Sequence, residues 1–127
     1  MADESERRRD LLLQIVEVSD ALGRLKTAAD AAAVGDEARR WVERFLLVRK
    51  RVESILAAQQ VLCVNSLGMA YNPELHRVVD VAPSPEKPGT ILEVFAEAYV
   101  LSAGDRMSVL RPGEVRIAGD GPRRENG

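Results

Sequence analysis

Residues 1–62 contain no proline, and residues 63–127 contain all six: Pro73, Pro83, Pro85, Pro88, Pro112 and Pro122. Proline lacks a backbone donor and breaks helix interiors. This split allows long helices before position 62 and imposes a turn-rich second half. A single continuous helical architecture is excluded.

The apolar spacing assigns the first half. Leu11, Ile15, Val18, Leu22 and Leu25 step alternately by four and three residues. Ala38, Trp41, Phe45, Val48, Val52, Ile55, Gln59 and Leu62 follow the same rhythm, with Gln59 the one polar member. A mean step of about 3.5 residues marks helices that pack in coiled coils and bundles. Leu12, Val16, Val42, Leu46 and Leu56 widen both stripes, which suits a bundle better than a two-stranded coil. Asp3 and Glu6 have the spacing of a helix-start capping box. Gly35-Asp36 predicts a break followed by an N-cap. Ala28 to Val34 reads equally as further helix or as a loose connection. Two such stripes in one chain leave their outer parts wet. The pattern therefore predicts a homodimeric four-helix bundle with Leu11, Ile15, Val18, Leu22, Trp41, Phe45, Val48, Val52 and Ile55 in the dimer interface. The rival arrangement packs those stripes on the chain's own second half.

After Leu62 the pattern changes. His76 to Ala82 is a β-branched run, and Pro83 to Gly89 is a loop with three prolines. Thr90 to Leu101 passes for helix by propensity. Its Thr, Ile, Val, Phe and Tyr content after Pro-Gly assigns it to strand, with Glu93 and Glu97 on one alternating face. Ser102 to Asp105 is a turn. Arg106–Leu110 and Glu114–Ala118 are closing strands around Arg111-Pro112-Gly113. The expected fold class is α+β. Residues 1–62 form a helical dimerisation module, residues 63–118 a small β domain, and residues 119–127 a flexible tail.

Composition narrows the chemistry. Lys plus Arg is 18 and Asp plus Glu is 20, so the chain lacks the basic excess of a nucleic-acid binder. Aromatic residues are 4%, so the core must be built from aliphatic side chains. The single cysteine, Cys63, excludes an intrachain disulfide and a multi-cysteine zinc site, and its neighbours Val61-Leu62 suggest a small buried hydrophobe. No apolar run approaches the roughly 20 residues of a membrane span, and the acidic start is unlike a signal peptide. A cytoplasmic location, without membrane or nucleic-acid partners, is expected. No phosphate-binding glycine loop, metal-ligand pattern or EF-hand occurs. The lone His76 can be drawn with Cys63 and Asp80 as a hydrolase triad, but its spacing fits a histidine that shapes a loop–strand corner. Arg49-Lys50-Arg51 reads as the wet face of the bundle, with protein docking as the alternative. No enzyme and no cofactor are expected.

One segment reads Leu67-Gly68-Met69-Ala70-Tyr71-Asn72-Pro73-Glu74-Leu75-His76-Arg77-Val78-Val79. It resembles the Gly-x-x-Phe-Asp-Pro-x-x-His-x-Ala-Val segment of the GrpE family, nucleotide exchange factors of DnaK-type heat-shock chaperones. Pro88-Gly89-Thr90-Ile91-Leu92-Glu93-Val94 is similar to that family's Pro-Gly-Thr-Val-x-x-Val. Ala98-Tyr99-Val100-Leu101 resembles its Gly-Tyr-x-Leu. Val109-Leu110-Arg111-Pro112, with Val115-Arg116-Ile117, resembles its closing Leu-Arg-Pro-Ala and Val-x-Val. Leu11 to Leu25, with Asp20, resembles its leucine-rich bundle segment.

The departures are specific. Gly-Tyr has become Ala98-Tyr99, and Phe-Asp-Pro has become Tyr71-Asn72-Pro73. The turn before Leu-Arg is expanded to Gly104-Asp105-Arg106-Met107-Ser108-Val109, about four residues longer. Gln60 stands where a glycine usually ends the second bundle helix. The chain also begins close to the bundle segment, so the family's long N-terminal stalk helix is expected to be missing.

The resemblance implies a dimeric, non-enzymatic co-chaperone in the stress response. It would bind a chaperone's nucleotide-binding domain and promote ADP release. It places candidate partner contacts at Arg106, Arg111, Pro85, Lys87 and Tyr99. A GrpE-like adaptor that has lost exchange activity and docks on another protein is the alternative.

Overall fold

The computed structural model describes residues 3–120. Two helices precede six short strands, giving an α+β fold. The chain divides into two compact units between Leu62 and Cys63.

The first unit is a helical hairpin. Helix α1 spans Glu4–Ala32, and Asp3 caps it by accepting the Glu6 N–H at 2.8 Å. Residues 28–32 are further helix. The break that follows is made by Ala33, not Gly35. Ala33 takes a left-handed φ of 51°. The Ala33 N–H reaches the Asp30 carbonyl and the Val34 N–H reaches the Ala29 carbonyl, both at 3.4 Å, satisfying carbonyls at the helix end. Gly35 is the N-cap of α2, which spans Asp36–Ala58. Asp36 is thus the first helical residue rather than the cap, and its charge favours the helix N-terminus from within the first turn. The second stripe ends early: Gln59 is the C-cap, and Leu62 lies in strand β1 (Val61–Val64).

Polar clasps fix the hairpin at both ends. Arg8 donates to the Gln59 carbonyl at 3.0 Å, and Arg39 donates to Asp30 at 3.0 Å. Asp30 also accepts from Lys26 at 2.9 Å, and these two bonds, Lys26 first, lower its pKa. Between the clasps, Leu12, Val16, Ala29 and Leu56 are buried, together with Ser19. Arg49 corrects the sequence reading of its basic run. Its guanidinium lies over Gly23, where an added Cβ would sit 3.0 Å from Cζ, and donates to Ser19 Oγ at 3.4 Å. It is a half-buried element of the hairpin interface; Lys50 and Arg51 remain exposed.

The second unit is built on two three-stranded sheets, the first of which begins with β1 at the boundary between the units. Their remaining strands are β2 (His76–Ala82), β3 (Ile91–Ala96), β4 (Ala98–Ala103), β5 (Arg106–Arg111) and β6 (Gly113–Ala118). One sheet has the order β1-β4-β5 and the other β2-β6-β3. Strand β6 pairs parallel with β2 and antiparallel with β3. The expected single strand over residues 90–101 is broken at Glu97, and its halves belong to different sheets. Glu93 and Glu97 therefore do not share one strand face. The closing strands β5 and β6 also diverge into separate sheets after Pro112. Ile91, Ala98, Tyr99, Val100, Leu110, Val115 and Ala118 form the buried apolar set of this unit. Cys63 is exposed, contrary to the buried position expected from its neighbours. Of the expected tail, Gly119 bonds to the Ala82 carbonyl at 2.9 Å, and residues 121–127 lie outside the described residues. No described helix is long and apolar enough to cross a membrane.

Candidate functional site

Strand β5 carries two of the sequence-derived candidates, one at each end. Arg106 is exposed and follows the two-residue turn Gly104-Asp105, closed by the register pair Ala103↔Arg106. Gly104 has φ 65° and Asp105 does not have a positive φ, as a type II′ hairpin requires. The β4–β5 ladder runs up to this turn and leaves it tight. Arg106 lines an open hollow of about 380 Å³ with Leu101, Ala103, Met107 and Ser108. Met107 is the most exposed large apolar side chain described.

Arg111 ends the strand and is half-buried. It donates to the Glu97 carbonyl at 2.6 Å, and its guanidinium lies 5.3 Å from the Tyr99 ring centroid. Tyr99 itself is 1% exposed, so its ring offers nothing to a partner. Its part is to support Arg111 from beneath by cation–π attraction. Arg111 and Arg77 line a second open hollow of about 420 Å³ with Ala96, Pro112 and Glu114. Arg77 forms an ion pair with Glu114.

Pro85 and Lys87 are exposed on the loop between β2 and β3. The loop is built, not slack. Ser84 is buried and its Oγ accepts the Glu86 N–H at 3.0 Å. Lys87-Pro88-Gly89-Thr90 is a type II turn, with the Thr90 N–H on the Lys87 carbonyl at 3.0 Å and Gly89 at φ 91°. Gly89 then bonds to the Ala118 carbonyl at 2.8 Å. That anchor is the far end of β6 from Arg111. Six strand residues separate the two ends by about 17–20 Å. The same span separates Arg106 from Arg111 along β5. The candidates thus form a dispersed surface rather than one converging pocket.

Sequence reasoning missed a charged ladder on the β2-β6-β3 sheet. Arg116 donates to Asp80 at 2.7 Å and to Glu93, and its guanidinium lies 5.1 Å from the Phe95 ring centroid. The Arg116 hydrogen bond holds the Asp80 carboxyl below its ordinary range. The parallel pairing of β2 with β6 sets Asp80 beside Arg116, the antiparallel pairing of β3 with β6 sets Glu93 there, and the sequence offers no local signal for either.

The hydrolase reading of His76 fails on geometry. The ring is 3% exposed; its Nδ1 accepts the Asn72 N–H at 3.1 Å and its Nε2 lies 2.8 Å from Ser66 Oγ. With Nδ1 accepting from Asn72 and the Nε2 proton donated to Ser66, neither ring nitrogen is left for the Cys63 thiol or the Asp80 carboxylate. Among the described residues, no cluster of three or more His, Cys, Asp or Glu could hold a metal.

In the hairpin, Leu11, Val18, Trp41, Phe45, Val48 and Ile55 are each about half exposed on the single chain. Ile15, Leu22 and Val52 are half-buried. The intrachain contact takes Leu12, Val16 and Leu56, which the sequence placed beside the seam rather than in it. Arg44 lies over the exposed Trp41 ring at 4.9 Å.

Comparison with known proteins matches the same two units. The chain is 31% identical to Protein GrpE of Rhodopirellula baltica over 114 residues, covering 87% of this chain and 54% of the relative. It is 30% identical over 110 residues to Protein GrpE of Chlamydia pneumoniae, covering 86% and 54% respectively. The corresponding protein of Stenotrophomonas maltophilia is 29% identical over 111 residues, with 87% and 60% covered. The chain therefore spans little more than half the length of these relatives. The family model described as GrpE matches residues 3–119, from the α1 cap to the end of β6. This chain belongs to the GrpE family.

Proposed function

We propose that the protein is a homodimeric nucleotide exchange factor for a DnaK-type chaperone. The observation that carries this reading is the family match, which spans the helical hairpin and both sheets without interruption. The exposed seam supports the dimer. A single hairpin leaves Trp41, Phe45, Val48 and Ile55 in water, and a second copy with the same self-complementary stripe would cover them. The β unit supplies exposed cations at Arg106 and Lys87, with Arg111 held by Tyr99.

The mechanism needs no catalyst. The protein binds the open-cleft form of the chaperone's nucleotide-binding domain better than the closed, ADP-holding form. Only that difference in affinity can drive release. By linkage, ADP weakens the complex by the same factor, and a coupling of about 3 kcal/mol corresponds to roughly 150-fold. The test is the release rate of fluorescent ADP from the cognate chaperone. Acceleration that saturates with this protein is expected; an unchanged rate at saturation removes the reading. The adaptor alternative draws on the β4–β5 ladder and its exposed Met107. A dominant partner other than the chaperone, insensitive to ATP, would favour it.

A further inference from the structure

His76 is the only histidine in the chain, and it joins three backbone segments. It begins β2. Its Nδ1 takes the Asn72 N–H, and its Nε2–H points to Ser66 Oγ, which in turn donates to the Val64 carbonyl at 3.4 Å. The relay has one direction, because a backbone N–H can only donate. Asn72 is bound from other sides as well. Its carbonyl accepts the Leu75 and His76 N–H groups at 2.9 and 2.8 Å, and its Oδ1 accepts the Glu74 N–H at 2.9 Å.

The segment that these bonds hold lies along the start of β3. Gly68 donates to the Ile91 carbonyl at 3.0 Å, Ile91 to the Met69 carbonyl at 2.8 Å, and Tyr71 to the Gly89 carbonyl at 2.8 Å. Leu67 and Met69 project from this segment into solvent.

We propose that His76 is an acid-sensitive latch: protonation of its ring releases the Ser66–Leu75 segment from the start of β2 and strips residues 68–71 from β3. A protonated Nδ1–H would face the Asn72 N–H, donor against donor at 3.1 Å. The surroundings offer the imidazolium little compensation. The groups recorded against the ring are Asn72, Ser66 and the Tyr71 ring, whose centroid is 6.3 Å away. Across the ladder on β6 stands Gly113. Along the chain, the Arg77 guanidinium is already paired with Glu114, and Glu74 belongs to the Asn72 turn.

Burial is the leading cause that holds the ring's pKa below its ordinary 6.5, although the Asn72 contact counts in the opposite sense. The neutral ring, not the cation, therefore belongs to the closed segment. A group whose folded pKa is depressed contributes stability that is complete above the ordinary value. That contribution is lost as pH falls from there toward the folded value. The latch is shut at neutral pH and opens on the acid side.

The test is an NMR titration of the intact protein from pH 7.5 to 4.5. The single imidazole is followed directly, and amide exchange, corrected for its intrinsic pH dependence, is read at Asn72, Tyr71 and Ile91. The expected ring midpoint lies below 6.5. Protection at those three amides falls across the same range, by up to about tenfold for each unit of depression, while Val115 in β6 keeps its protection. A midpoint at or above 6.5, flat protection at the three amides, or loss of Val115 protection in parallel overturns the proposal. His76→Gln, which cannot titrate, should show pH-independent exchange at Asn72; unchanged pH dependence in this variant also overturns it. If His76→Gln does not fold, the unaltered protein still decides the question.

Discussion

Among the described residues, Ala33 and Gln60 are the two non-glycines with positive φ, at 51° and 68°. Each ends a helix. An L-residue in the left-handed region costs about 1–2 kcal/mol because its Cβ crowds the following carbonyl. Gly removes that cost and returns part of it as extra freedom in the unfolded chain. Gln60→Gly should therefore raise stability by about 0.5–1 kcal/mol, seen as a higher urea midpoint at unchanged slope. A lower midpoint would mean that the Gln60 side chain holds the α2–β1 joint by contacts that outweigh its backbone strain. The same scale shows what sequence can reveal. The Asp3–Glu6 capping contact was legible because it is local. The Ser66–His76 bond was not, because ten residues separate two side chains whose meeting depends on the turn at Asn72.

At the scale of elements, the heptad stripe located both helices but did not say which of its neighbours would face inward. The hairpin buries Leu12, Val16 and Leu56 and leaves Leu11, Val18 and Ile55 about half exposed. Leu56→Ala should cost about 2–5 kcal/mol, since a buried side chain is replaced by a cavity. Leu47→Ala, at a side chain 64% exposed, should change stability by less than about 0.5 kcal/mol. Thermal unfolding of the two variants checks the contrast, and equal losses would place Leu47 in an interface. Strand content over residues 90–101 was legible from β-branched and aromatic residues, but the break at Glu97 was not. Alternation within a strand is the same whether its ends serve one sheet or two. The sheet assignment comes from β6, which pairs with β2 and β3 and leaves β4 to β1 and β5.

At the scale of the whole molecule, the exposed seam and the dispersed cations make separable predictions. Ile55→Asp places a charge on a surface that is half wet in one chain and would be dry between two. The variant should keep its helical content and sediment as a monomer, whereas the unaltered protein should sediment as a dimer. A monomeric unaltered protein would remove the four-helix bundle. Arg106→Ala should slow ADP release from the chaperone and leave the dimer intact, because Arg106 is an exposed side chain of the β4–β5 hairpin, whereas the seam residues belong to α1 and α2. Unchanged exchange with this variant would remove Arg106 from the partner surface.

The sequence by itself determined the division into a proline-free helical half and a proline-bounded β half, the heptad seam, and the ordered motifs by which the family is recognised. These are periodic or local properties, fixed by backbone dihedrals and by spacings of a few residues. Tertiary structure alone decided that Tyr99 is buried under Arg111, that Arg49 crosses Gly23, that Arg116 ties Asp80 to Glu93, and that His76 closes on Ser66. Each depends on strand order, register or helix rotation, which are settled by burying the most apolar surface across the fold rather than by any short run of residues.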